Sequence, residues 1–299
     1  MRFRVVRIGT LVVFTVLTVA CSSESAPPET TPSSGAPSFD RPGTELDEVL
    51  ASETVVVSPL GVLGWWDGER WVQWHAGIEV PLHGGEQYLT LTIATRGAAV
   101  GGAPQPASGE GCGLGAELAP VVRLTGEDGA VDNSPIGVTG PAVRLGGDQP
   151  GEELSGENAE YQALAREALA SIGVDDGDPH LAQVVRTDIQ SDGTDEALLV
   201  AEQVSPGGGV PGDYSALILQ ELVDGVVLTK VLHESIAEGS DETGQALVST
   251  PRVAALVDIN GDGSIELIVT YRLGESAATS VIDLPGSTAR EVLTAECPN

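Results

Sequence analysis

The chain of 299 residues carries 44 Asp and Glu against 14 Lys and Arg, a formal charge of −30, with 4% aromatic residues, 38 Gly and 19 Pro. A surface this acidic repels phosphate backbones and anionic headgroups, and Lys230 is the one lysine, so nucleic acid is excluded as a partner. The hydrophobic fraction of 41% is nonetheless that of a chain able to bury a core.

Residues 1–20 read as an export signal. Arg2, Arg4 and Arg7 form a basic start, and Ile8 to Val19 an apolar run too short to span a bilayer permanently. The small residue Ala20 then precedes Cys21, and Leu17-Thr18-Val19-Ala20-Cys21 resembles the bacterial lipobox, with Thr18 where Leu is usual. That resemblance implies cleavage before Cys21, diacylation of its thiol, and attachment to the membrane by the lipid; a plain secretory signal with an incidental Cys, or an uncleaved anchor, is the alternative. Residues 21–45 are rich in Ser, Thr and Pro and poor in large apolar side chains, so they read as a disordered tether reaching up to about 70 Å. Loss of the three arginines with the signal leaves the exported part more acidic than the whole.

Residues 46–150 form an N-terminal β region, with strands expected at 54–58, 62–66, 70–74 and 87–94 and a hairpin turn at Asp67-Gly68. All four tryptophans, Trp65, Trp66, Trp71 and Trp74, fall within it. Alternation sends Trp65 and Trp66 to opposite faces; the cluster reads as core anchors, with a sugar-stacking surface as the alternative. These strands are either one more blade of the repeated kind described below or a small β domain packed by a helix. Cys112 lies in a glycine-rich loop, and with Cys21 given to lipid it pairs in an oxidising compartment with Cys297; two unrelated buried thiols are the alternative.

The spacing of Tyr161, Leu164, Ala165, Ala168, Leu169 and Ile172 predicts a packing helix over about 158–172, with Asn158 as N-cap and Gly173 as stop. Beyond it the chain repeats itself. Val184 to Val200 aligns with Ala254 to Thr270, and each copy is an apolar run, an acidic glycine-containing loop, a second apolar run and then two further strand-like runs. Residues 151–299 therefore read as the helix plus two propeller-like, four-stranded antiparallel units, and the fold class as mainly β.

The second loop, Asp258-Ile259-Asn260-Gly261-Asp262-Gly263-Ser264-Ile265-Glu266, sets oxygen-bearing side chains at alternate positions. Calcium takes roughly six to eight hard oxygen ligands, and such a loop can gather them if a glycine permits the turn. A helix-loop-helix site is rejected, because its twelfth position would be Val269 in place of Glu. The loop resembles those of FG-GAP or VCBS-type repeats, in which an Asp-x-Asn/Asp-x-Asp-Gly segment joins two strands of a β-propeller blade. By that resemblance Asp258, Asn260, Asp262 and Glu266 supply side-chain oxygens to calcium and Ser264 a backbone carbonyl. In the first copy Asp188, Asp192 and Glu196 recur, but Gln190 and Ser191 replace Asn and Gly, so the site is either weaker or vestigial.

No catalytic residues are assigned. Gly207 to Gly212 match GxGxxG in letters only, since Pro211 and the β-like run after it cannot open a helix, and His233-Glu234 is followed at the fifth position by Ala237 where a zincin needs His. The expectation is a noncatalytic, lipid-anchored extracytoplasmic protein of the bacterial envelope, stabilised by calcium and a disulfide, with a binding or scaffold role and a protein or glycan ligand. The alternative is a secreted carbohydrate-active hydrolase or its carbohydrate-binding accessory.

Overall fold

In the computed structural model, the described residues are 53–107, 118–126, 129–130, 136–143, 151–206, 209–223, 225–237, 247–285 and 288–297. They form a mainly β protein of three open antiparallel sheets and one helix. The export signal, the tether, Cys21 and Cys112 lie outside the described residues.

The N-terminal sheet is built from β1 (Thr54–Ser58), β2 (Gly61–Trp66), β3 (Trp71–Gln73), β4 (Gln87–Leu91), β5 (Arg96–Gly101), β6 (Leu124–Gly126), β7 (Gly129–Ala130) and β8 (Ile136–Thr139). Its spatial order is β3-β2-β1-β8-β4-β5-β6-β7. The sheet curls, because the segment before β6 returns to β2: the Val62 N–H donates to the Pro120 carbonyl at 2.9 Å. Val55, Val57, Val62 and Trp65 thereby share one core with Tyr88, Ala99, Val122 and Leu124. This is neither a four-stranded unit nor a domain packed by the helix, the two arrangements expected from sequence. β8 inserts between β1 and β4, a pairing between distant segments that local patterning does not encode.

The first repeat unit is the meander β10 (Leu181–Thr187), β11 (Glu196–Gln203), β12 (Tyr214–Val223) and β13 (Val226–Ile236). It gains a fifth strand, β9 (Glu152–Leu154), on the free edge of β10. α1 (Ala159–Ser171) begins with Asn158, whose Oδ1 accepts from the Glu160 N–H at 2.9 Å. It ends with Gly173 at φ +86°, while Val174 N–H reaches the Leu169 carbonyl and Gly173 N–H the Ala170 carbonyl, the pattern that closes a helix on a left-handed residue. Ala165, Ala168 and Leu169 of α1 cover Val184, Leu199, Ala216 and Ile218 on one face of this sheet.

The second unit is the meander β14 (Thr250–Val257), β15 (Glu266–Leu273), β16 (Ser276–Asp283) and β17 (Arg290–Cys297). Strand alternation commits both of its faces to packing. Leu256, Leu267, Val269 and Ile282 meet Val185, Leu198, Val200, Leu217 and Leu219 of the first unit. Val257, Ile268, Val281 and Leu293 meet Val56, Leu63, Leu91, Ile136 and Val138 of the N-terminal sheet. The last unit in sequence is thus the middle layer in space.

Two glutamine amides brace these layers. Gln183 of β10 donates to the Val253 carbonyl at 3.1 Å and accepts from the Val253 N–H at 2.9 Å. Gln73 of β3 does the same at Thr294 of β17, at 2.6 and 2.7 Å. Each amide stands in for a strand partner and satisfies backbone groups that packed side chains would leave bare.

Candidate functional site: two acidic hairpin loops

Both repeated loops join the first two strands of their units, β10 to β11 and β14 to β15. In the second, Asp258 begins the turn and its carboxylate accepts from Gly261 N–H at 2.6 Å and Gly263 N–H at 3.0 Å. Asp262 Oδ1 accepts from Ser264 N–H at 2.8 Å, Asn260 Oδ1 from Asp262 N–H at 2.8 Å, and Glu266 Oε2 from Ile259 N–H at 2.6 Å. Ile259 is buried beneath the loop and pins it to the core between the N-terminal sheet and the second unit. A turn this tight needs left-handed residues, and Gly261 and Gly263 supply φ of +78° and +95°.

The first loop repeats three of these bonds, those from Gly193, Thr194 and Ile189 N–H, and differs where Gln190 and Ser191 stand. Asp188 accepts from Asp192 and Gly193 N–H groups, Asp192 from Thr194, and Glu196 from Ile189 N–H at 2.7 Å. Ser191 takes the place of Gly261 with φ +55°. Gln190 does not replace Asn260 in kind: its amide points away from the loop to Glu221 Oε1 at 3.4 Å. The loops also touch each other, because Ile265 N–H donates to the Ile189 carbonyl at 2.9 Å.

The electrostatics are severe. Glu266 is 1% exposed. Burial, then the charges of Asp283, Asp258 and Asp262, push its carboxyl up to about 8 against the opposing hydrogen bond from Ile259. Burial raises Asp258 as well, and Glu196 is pushed up to about 7 by burial and then by Asp192, Asp188 and Glu221. Glu266 Oε1 is buried with no hydrogen-bond partner.

The geometry therefore brings Asp258, Asn260, Asp262 and Glu266 into one loop, and Asp188, Asp192 and Glu196 into its twin. Ser264 enters the loop's hydrogen bonding through its N–H, which donates to Asp262 Oδ1. Among the described residues, no group of three or more His, Cys, Asp or Glu is arranged to hold a metal ion. Two residues were not legible in the pattern. Asp283 is buried beside Glu266 at the end of β16, where it accepts from Arg290 at 2.7 Å, and Glu221 pairs with Lys230 beside the first loop. Both are strand residues distant in sequence, and only the strand pairing brings them to the loops.

Cys297, at the end of β17, is disulfide-bonded. Trp65 is buried, whereas Trp66 and Trp71 pack edge to face with centroids 5.3 Å apart, which makes the cluster a packing feature of the hairpin. Among the described residues no helix is long and apolar enough to cross a membrane. No family model, curated protein or solved structure matches the chain.

Proposed function

We propose that this is a noncatalytic, lipid-anchored extracytoplasmic protein of the bacterial envelope. Its two repeat units act as blades of a propeller-like domain of the FG-GAP or VCBS kind that calcium stabilises, with a binding or scaffold role toward a protein or glycan. The observation that carries the reading is the twin loop geometry with the bare, buried Glu266 Oε1 in the better-formed copy. A carboxylate with an unpartnered buried oxygen among other carboxylates is a donor set of the kind calcium takes, and the ion supplies there the positive charge that the loop lacks. Asp258, Asn260, Asp262 and Glu266 would hold it, with Ser264 contributing its carbonyl; Asp188, Asp192 and Glu196 form the weaker copy because Gln190 has turned to Glu221.

The test is thermal melting of the domain with calcium and with chelator, beside Asp262→Ala. A ligand held only by the folded state raises its stability, by about 2.7 kcal/mol at a hundredfold excess over Kd. Melting indifferent to calcium, chelator and Asp262→Ala overturns the calcium reading. The anchor is tested separately by fatty-acid labelling of the full chain, which Cys21→Ser should abolish.

A further inference from the structure

The two repeat units share one core along β10–β12 and β14–β16. Between β13 and β15–β17 lies a cleft of about 110 Å³. One wall is an aromatic pair, His233 against Tyr271, with ring centroids 4.9 Å apart. At its base Ser249 is 5% exposed, and its hydroxyl has no hydrogen-bond partner; neither has His233 Nε2. Buried polar atoms are rarely left bare in folded proteins, and two in one cleft call for a ligand group or water.

The charges select the kind of ligand. Three carboxylates line the cleft, Glu234, Glu291 and Glu296, and none of them is in an ion pair among the described residues. The one guanidinium in the lining, that of Arg290, is held by Asp283 at 2.7 Å. Burial keeps the His233 imidazole below its ordinary pKa, against a backbone hydrogen bond at Ser249, so it is uncharged at neutral pH. The lining is thus rich in acceptors, short of free positive charge, and walled by aromatic faces.

We propose that this cleft is a binding site for a small organic cation, a primary ammonium on a short apolar stem. The carboxylates at the mouth attract the charge, the Ser249 hydroxyl and the neutral imidazole accept N–H bonds, and Tyr271 and His233 flank the stem. The volume admits a few heavy atoms and no more. The cleft is distinct from the acidic loops: Tyr271 lies about 16 Å along β15 from Glu266 at roughly 3.3 Å per residue.

The experiment is isothermal titration of the full chain, in chelator and at matched ionic strength, with n-butylammonium chloride and with n-butanol as its uncharged counterpart. The ammonium should bind saturably and at least tenfold more tightly than the alcohol. Glu291 and Glu296 are exposed, so Glu291→Gln with Glu296→Gln leaves folding intact and should weaken the ammonium at least fivefold while leaving the alcohol unchanged. Ser249→Ala should weaken the ammonium about threefold with unchanged melting. No saturable binding, equal affinity for ammonium and alcohol, or full affinity in the double variant overturns the proposal.

Discussion

At the scale of single residues, the acidic loops offer a controlled comparison of what a glycine is for. Gly193 and Gly263 both have positive φ with nothing within 4 Å of an added Cβ, so an alanine there meets only the backbone penalty, about 1–2 kcal/mol. Gly261 has φ +78° and would also place its Cβ 2.9 Å from the Ala142 carbonyl oxygen. Gly261→Ala should therefore cost about 1 kcal/mol more than Gly193→Ala, read as the shift in urea midpoint. The carboxylate at the floor of the second loop makes a sharper case. Glu266→Gln keeps an oxygen for the Ile259 N–H while removing a charge from among Asp258, Asp262 and Asp283. In chelator this variant should be more stable than the parent at pH 8 and above, and it should lose most of the calcium response. A variant less stable than the parent under those conditions would show that the charge is not what strains the loop.

At the scale of elements, the meanders were readable because each strand is a local pattern closed by a local turn. The repeat offset, the eight meander strands and the capped helix all follow from contiguous residues such as Asn158, Gly173 and the Asp258 loop. Sheet membership was not readable. β9 pairs with β10 across the helix, and β8 divides β1 from β4, because edge pairing depends on which backbone is left unsatisfied after everything nearer has paired. The Gln183 brace was equally hidden: nothing about one glutamine in an apolar strand announces an amide facing another sheet. Gln183→Ala should cost about 2–4 kcal/mol, because it leaves the buried N–H and carbonyl of Val253 without partners. Gln183→Glu should not restore it, since a carboxylate cannot donate to the carbonyl. A loss below 0.5 kcal/mol in denaturant melts would show that water replaces the amide.

At the scale of the whole molecule, the acidity that excludes polyanions has a thermodynamic consequence. Glu266, raised to about 8, and Glu196, raised to about 7, hold protons in the folded state at pH values where the unfolded chain has released them. Their contribution to stability is complete below the ordinary glutamate value and is lost as pH rises through 7 to 8. Stability measured by urea unfolding in chelator should thus decline between pH 5 and 9, by an amount of order a few kcal/mol, and the decline should be smaller in Glu266→Gln. Calcium should flatten it, since a bound divalent ion takes over the role of the proton.

The position of the second repeat unit matters differently, through the order in which the chain is made. β14–β17 are synthesised after both of the layers they separate, so the inner faces of the N-terminal sheet and of the first unit have nothing to close on until the last strands arrive. For a nascent chain that is an interval with two apolar surfaces bare at once, a window for chaperone capture or for association between copies. A chain stopped before Thr250 should bind a hydrophobic dye strongly and sediment as aggregates; a compact, dye-silent fragment would mean that the first two sheets can close on each other without the layer that normally lies between them.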